Sequence, residues 1–244
     1  MMKSVCGEFV SVKEKECALC GLAGELTGEH KIKASLLRSE FGQRKAIIAG
    51  KDRPRLLQSP RSKHVHFKRK ICKDCNSNLT QAADKAFDKL HEELKQLLVH
   101  GEPLTDLNNE PCVELSPSEQ LDIFRYFAKL LCCFLVEVDG PRSKSISEFA
   151  IGQSVKNPIF LEILKDTDYQ AKLRANDTQG YAEHGGLKFR FDDNKRLVKS
   201  IESSIVAGGI IYIFWVRLNW ALGFELSLKY GDLVRQARAN IIEG

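Results

Sequence analysis

The sequence lacks an apolar run long enough to form a membrane-spanning helix. Its longest apolar run, Ile205 to Val216, is followed by Arg217 and Asn219, well short of the roughly 18 to 20 residues that cross a bilayer. Residues 1–8 also lack the apolar segment and small-residue cleavage site of a secretion signal. We therefore expect a cytoplasmic protein with no membrane partner.

Internal repeats and low-complexity segments are also missing, and the composition is that of a globular chain. Of the 244 residues, 43% are apolar and 28% are charged, which is enough to build a core and excludes collagen, coiled coil and a long disordered tail. Without a secretion signal, the eight cysteines indicate reduced thiols or metal ligands rather than a disulfide framework.

Positive charge is concentrated in one segment. Residues 31–73 contain fourteen Lys or Arg against Glu40 and Asp52, a local net charge of +12, whereas the whole chain carries +5 and the remainder therefore −7. Such a patch attracts polyanions, so we expect a nucleic acid, DNA or RNA, as the partner. The predicted contact residues are Lys31, Lys33, Arg38, Arg44, Arg53, Arg55, Arg61, Lys68, Arg69 and Lys70. A solvated, flexible basic loop is the competing interpretation.

A turn-rich stretch between His100 and Pro117 divides the sequence. We predict an α+β fold with an N-terminal domain over residues 1–100, a linker over 101–116 and a mixed α+β domain over 117–244. The C-terminal domain has no motif that names a chemistry, and docking of a partner protein and homodimer formation are both open roles for it.

Helix and strand signals flank this stretch. An apolar stripe at helical spacing runs from Leu79 to Leu98. A second helix is predicted to begin after Ser116, with Pro117 at its first position and Glu119 completing a capping box. Farther on, period-two alternation over 187–191 predicts a half-buried strand, and the apolar run at 205–216 predicts one or two buried strands.

Four of the cysteines form two pairs with two-residue spacing. The pairs are Cys17 with Cys20 and Cys72 with Cys75. Four thiolates at about 2.3 Å make a closed, structural zinc site, and coincidental thiols or a redox pair are the alternatives. Such a site has no open coordination position, so any chemistry must come from its neighbours. Cys132 and Cys133 lie in an apolar stretch and are predicted to be core residues.

The neighbours of the cysteine pairs carry a family resemblance. Gly28-Glu29-His30 follows the first pair, Asn76 follows the last cysteine directly, and Asp84 lies eight residues beyond Asn76. Over residues 17 to about 90, this pattern resembles the HNH endonucleases of the ββα-metal fold, in particular a zinc-bound subgroup. The expected domain at 1–100 is accordingly a small zinc-stabilised ββα-metal nuclease domain.

The resemblance implies a metal-dependent endonuclease that hydrolyses phosphodiester bonds in DNA. His30 would be the general base, since a neutral histidine can accept a proton at physiological pH. Glu29 and Asn76 would bind a catalytic Mg²⁺ or Mn²⁺. If one unbroken helix begins at Asn76, Asp84 lies about 12 Å farther along its axis. Asp84 is therefore a doubtful ligand, and we expect it to cap or position a neighbouring basic group.

The sequence departs from the family pattern at several places. The middle Asn of the family would fall near Phe67, where His64 and His66 are the nearby substitutes. The connection from His30 to Cys72 is long for a hairpin and could be an insertion that grips the substrate. Two other functions stay open: a non-catalytic zinc module that binds nucleic acid through residues 31–73, and a protein-interaction or redox role.

Overall fold

The computed structural model describes residues 7–41, 46–50, 53–57, 63–101, 104, 113–175 and 180–242. The fold is mixed α+β, as predicted. The strands are β1 Phe9–Val10, β2 Leu26–Thr27, β3 Ala46–Gly50, β4 Arg53–Leu57, β5 Ile71–Cys72, β6 Arg142–Ser143, β7 Ile159–Lys165, β8 Tyr181–His184, β9 Lys188–Phe191, β10 Val198–Ala207 and β11 Ile210–Arg217. The helices are α1 Ala34–Phe41, α2 Gln81–His100, α3 Pro117–Glu137, α4 Lys144–Ala150, α5 Tyr169–Ala175, α6 Trp220–Lys229 and α7 Gly231–Ile242, with a π-helix at Cys75–Leu79 and a 3₁₀ turn at Lys63–Val65.

A seven-stranded sheet forms the largest layer. Its order is β4-β3-β8-β10-β11-β7, with β9 pairing β10 beside β8. The apolar run at 205–216 forms the end of β10 and nearly all of β11, two antiparallel strands, in agreement with the prediction of one or two buried strands. They turn at Gly208 and Gly209, whose positive φ angles of 61° and 81° suit glycine because it has no Cβ to clash. The predicted strand at 187–191 is confirmed as β9.

Both predicted long helices are present. The capping box of α3 is formed, with Ser116 accepting from the Glu119 amide and the Glu119 carboxylate accepting from Ser116. The stripe of α2 packs against α3 and the sheet, and Phe87 stacks on Tyr126 with 4.0 Å between ring centroids. Cys132 and Cys133 are buried in the core, as predicted.

The two parts predicted as separate domains share one hydrophobic cluster, from Phe9 to Val234. The basic segment also enters the large sheet. Its strand β3 pairs in parallel with the C-terminal strand β8, and Ile47 lies opposite Tyr181. The long connection after His30 therefore supplies two sheet strands. Independent folding of 1–100 and 117–244 stays a prediction, and most of the predicted linker lies outside the described residues.

The helices also bear on the membrane expectation. Across the ranges given above, none is both long and apolar enough to cross a membrane.

Candidate metal centre and the adjoining hairpin

The first cysteine pair is held by a tight turn. The Cys17 amide donates to the Leu22 carbonyl at 2.9 Å, and the Gly21 amide donates back to the Cys17 carbonyl at 2.9 Å. Gly21 has a φ of 75°, which glycine adopts without strain. The second pair is brought close because β5 lies antiparallel to β2, with Cys72 opposite Leu26.

The four sulfur atoms form a compact cluster in which all lie within 4.8 Å of one another. Cys20 Sγ and Cys72 Sγ are 3.8 Å apart, which matches the edge of about 3.8 Å that a tetrahedron with 2.3 Å Zn–S bonds requires. The six cysteines in the described part of the chain are all free thiols. The predicted cluster is therefore present, and its geometry fits a zinc ion.

Backbone amides point at the sulfur atoms. Cys17 Sγ accepts from the Cys72 amide at 3.1 Å and from the Leu19 amide at 3.4 Å, and such bonds favour a thiolate. A hydrogen bond from the Cys75 thiol, aided by these amides, lowers the pKa of Cys17 to about 4. The same bond raises the pKa of Cys75, and burial raises the pKa of Cys20 to about 11.

Metal uptake by this cluster is expected to release protons. Without metal, the raised pKa values of Cys20 and Cys75 keep both thiols protonated at neutral pH, whereas a metal binds the thiolates. Calorimetry of zinc binding at pH 7 in buffers of different ionisation enthalpy should report release of about two protons or more. Affinity should fall as the pH falls, because protons then compete for sulfur. Zinc binding with no proton release would contradict this assignment.

The hairpin continues from the cysteines to the histidines. The Lys31 amide donates to the Val65 carbonyl at 2.6 Å, and the Phe67 amide donates to the Glu29 carbonyl at 2.9 Å. Between these bonds, His30 lies opposite His66, and their ring centroids are 3.8 Å apart. Burial lowers the pKa of His66. His66, rather than His64, is thus the histidine beside His30.

Asn76 lies in a π-helix rather than at the start of an α-helix. Its amide nitrogen donates to Thr27 Oγ1 at 3.0 Å and to the Gly28 carbonyl at 3.4 Å. The backbone widens because the Thr80 amide and hydroxyl both donate to the Cys75 carbonyl, at 3.1 and 2.9 Å. The assumption of one unbroken α-helix from Asn76 to Asp84 was therefore wrong.

Glu29 points to the opposite face of the hairpin from His30, as alternation along a strand requires. There its carboxylate lies 3.2 Å from Lys129 Nζ, and Asp84 Oδ1 lies 2.7 Å from the same nitrogen. The Lys129 side chain is 1% exposed. Asp84 thus positions a basic group, Lys129, which comes from α3.

A catalytic Mg²⁺ does not fit the arrangement at Glu29. The structure pairs Glu29 with an ammonium and directs the amide nitrogen of Asn76 to Thr27 and Gly28. Beyond the cysteines, the described ranges hold no group of three or more His, Cys, Asp and Glu side chains close enough to share an ion. No chemical step can therefore be assigned to a cation on Glu29 and Asn76.

Several predicted nucleic-acid contacts are instead ion pairs within the protein. Lys31 lies 3.0 Å from Glu137, Lys33 2.7 Å from Asp88 and Arg69 2.7 Å from Asp139. These three acidic partners lie outside the basic segment. The exposed predicted residues are Arg38, Lys68 and Lys70. Arg44 and Arg61, and the side chains of Arg53 and Arg55, lie outside the described residues.

Lys129 is the residue that the sequence analysis missed. The sequence feature that could have identified it is a single charged side chain within an otherwise apolar stretch of α3, from Tyr126 to Val136. A lysine buried in such a stretch needs a carboxylate partner. No protein-family model, curated protein or solved structure matches this chain. Its function must therefore be argued from the site.

Proposed function

We propose that this chain is a zinc-framed nucleic-acid-binding protein with an HNH-like arrangement of two strands and a helix, and that DNA is its partner. Zinc on the four cysteines holds both ends of the segment that follows Cys20 and ends at Cys72, whose sulfur atoms lie 3.8 Å apart. This segment contains all of the basic residues counted over 31–73 except Lys73. Concentrated positive charge dominates non-specific affinity for phosphates.

The observation that most favours binding over cleavage is the contact between Glu29 and Lys129. The resemblance to HNH endonucleases implies that the acidic residue beside the histidine binds the catalytic cation. Here the Glu29 side chain is 11% exposed, and its carboxylate already holds an ammonium at 3.2 Å. The basic surface can bind a phosphate backbone without this group.

The HNH endonuclease reaction is a second candidate, and the position of His30 favours it. His30 is half-buried on the hairpin, beside His66 and within the segment held by the cysteines. In this alternative, His30 takes a proton from the attacking water. It predicts cleavage with Mg²⁺ or Mn²⁺ that His30→Ala abolishes while the zinc content stays unchanged.

Binding is tested with the exposed lysines of the segment. The double variant Lys68→Ala, Lys70→Ala should weaken the affinity for a labelled DNA duplex because it removes up to two phosphate contacts. The plot of log K against log salt has a negative slope, and the variant should make that slope shallower by about 2. Fluorescence anisotropy over a salt series measures both. A parallel series with an RNA duplex of the same sequence identifies the preferred partner.

Lys156→Ala is the matched control, since Lys156 is exposed but lies in the C-terminal part. It should leave the affinity and the slope near their wild-type values. Equal losses in the control and the double variant, or no binding at low salt, would contradict the proposal.

A further inference from the structure

Lys129 is buried where a charge is costly. It lies in the middle of α3, its side chain is 1% exposed, and its neighbours Ala128 and Leu130 are fully buried. Moving an ammonium from water into such a position costs several kcal/mol unless opposite charges surround it. The attraction of Glu29 and Asp84 outweighs this burial and raises the pKa of Lys129. The ammonium is therefore a permanent charge of this centre.

The two carboxylates come from separate elements of the fold. Glu29 comes from the first strand of the hairpin and Asp84 from the first turn of α2. Lys129 Nζ contacts one oxygen of each, at 3.2 and 2.7 Å. These are hydrogen-bond distances, whereas Mg²⁺ requires oxygen atoms at about 2.0 to 2.1 Å and several retained waters.

An aromatic ring and a second ammonium group lie around this ion-pair centre. The Tyr126 ring lies 5.5 Å from Lys129 Nζ, and its buried hydroxyl has no hydrogen-bond partner in the structure. Lys33 Nζ donates to the Asp84 carbonyl on the other side of Asp84 and pairs with Asp88. The carboxylate oxygen atoms of Glu29 and Asp84 thus converge on the position that the Lys129 head group fills.

We propose that the Lys129 ammonium is the built-in cation of the centre formed by Glu29 and Asp84, and that it excludes divalent metal ions there. Removal of the ammonium leaves two carboxylates facing one space, which is the donor set that a Mn²⁺ or Mg²⁺ ion takes. Lys129→Ala therefore turns the centre into a divalent-cation site. This inference does not depend on nucleic-acid binding, since metal uptake is measured on the protein alone.

Mn²⁺ titration of the zinc-loaded protein, followed by the EPR signal of free Mn²⁺, tests the inference. The wild type and Glu29→Gln should take up the same amount of Mn²⁺. Lys129→Ala should bind about one Mn²⁺ per chain, and the added change Glu29→Gln should abolish that uptake. Lys89→Ala is the matched control, because Lys89 is also paired with a carboxylate, Glu119 at 2.9 Å, but lies at the surface. It should gain no Mn²⁺.

Two results would overturn the inference: Mn²⁺ uptake by the wild type that Glu29→Gln removes, or a folded Lys129→Ala that takes up none. If Lys129→Ala does not fold, the comparison of the wild type with Glu29→Gln decides alone. Absence of Glu29-dependent uptake then supports the built-in cation, and its presence refutes it.

Discussion

Replacement of Cys72 by serine is expected to abolish zinc binding and to remove most of the stability of the N-terminal part. Structural zinc sites contribute on the order of 10 kcal/mol in small peptides, which is comparable with the whole folding free energy of a domain. Cys72 is suited to the test because its sulfur atom lies within the cluster, 3.8 Å from Cys20 Sγ. Zinc content by mass spectrometry and urea unfolding followed by circular dichroism measure both losses.

Cys132→Ala provides the matched control for this experiment. Cys132 is a buried thiol of the hydrophobic core and is not one of the four clustered cysteines. Its truncation should cost about 1 kcal/mol, typical of a small core deletion, and leave the zinc content at the wild-type value. Retention of full zinc content and stability in Cys72→Ser would contradict the assignment of this cysteine as a ligand.

Lys129→Met is expected to lower the free energy of unfolding by about 3 to 5 kcal/mol. The methionine replaces the volume of the lysine but leaves the carboxylates of Glu29 and Asp84 facing each other without a cation. Burial already raises the pKa of Glu29, against the opposing attraction of Lys129. Without that attraction, the pKa of Glu29 should rise further, so the loss of stability should grow as the pH increases through it.

The triple variant Glu29→Gln, Asp84→Asn, Lys129→Met separates charge from packing. It keeps the shapes of all three side chains and removes all three charges, so most of the lost stability should return. Urea unfolding at two pH values measures the single and triple variants side by side. A triple variant as unstable as Lys129→Met would show that packing, not the unpaired carboxylates, causes the loss.

Local patterns in the sequence predicted the local structure. Residue spacing was enough for the cysteine cluster, for α2, and for the capping box at Ser116, because each depends on groups within a few residues or on a shared ion. Alternation of Glu29 and His30 along a strand likewise predicts opposite faces. These features needed no knowledge of the remaining chain.

The structural features that the sequence did not predict depend largely on contacts between distant segments. The pairing of β3 with β8 joins residues about 134 positions apart, Ile47 and Tyr181, and no local pattern specifies such a partner. Lys129 is 45 residues from Asp84. The π-helix that begins at Cys75 changes the path from Asn76 to Asp84. Its cause is the pair of hydrogen bonds that Thr80 donates to the Cys75 carbonyl, which helical periodicity cannot predict.

The same contacts change the functional interpretation of the basic segment. Its lysines were expected to face nucleic acid, yet Lys31 and Lys33 are paired with Glu137 and Asp88. Acidic residues from outside the basic segment therefore neutralise part of its positive charge. The proposed contact with DNA therefore shifts to Lys68, Lys70 and Arg38, and to the basic residues of 42–62.

The central proposal is that the chain has an HNH-like frame that binds nucleic acid while Lys129 takes the place of a catalytic cation. Incubation of zinc-loaded wild-type protein with labelled DNA and Mn²⁺, analysed on native and denaturing gels, tests it most directly. We expect a shifted band on the native gel and full-length DNA on the denaturing gel. Cleavage products that disappear in both Glu29→Gln and His30→Ala would contradict it.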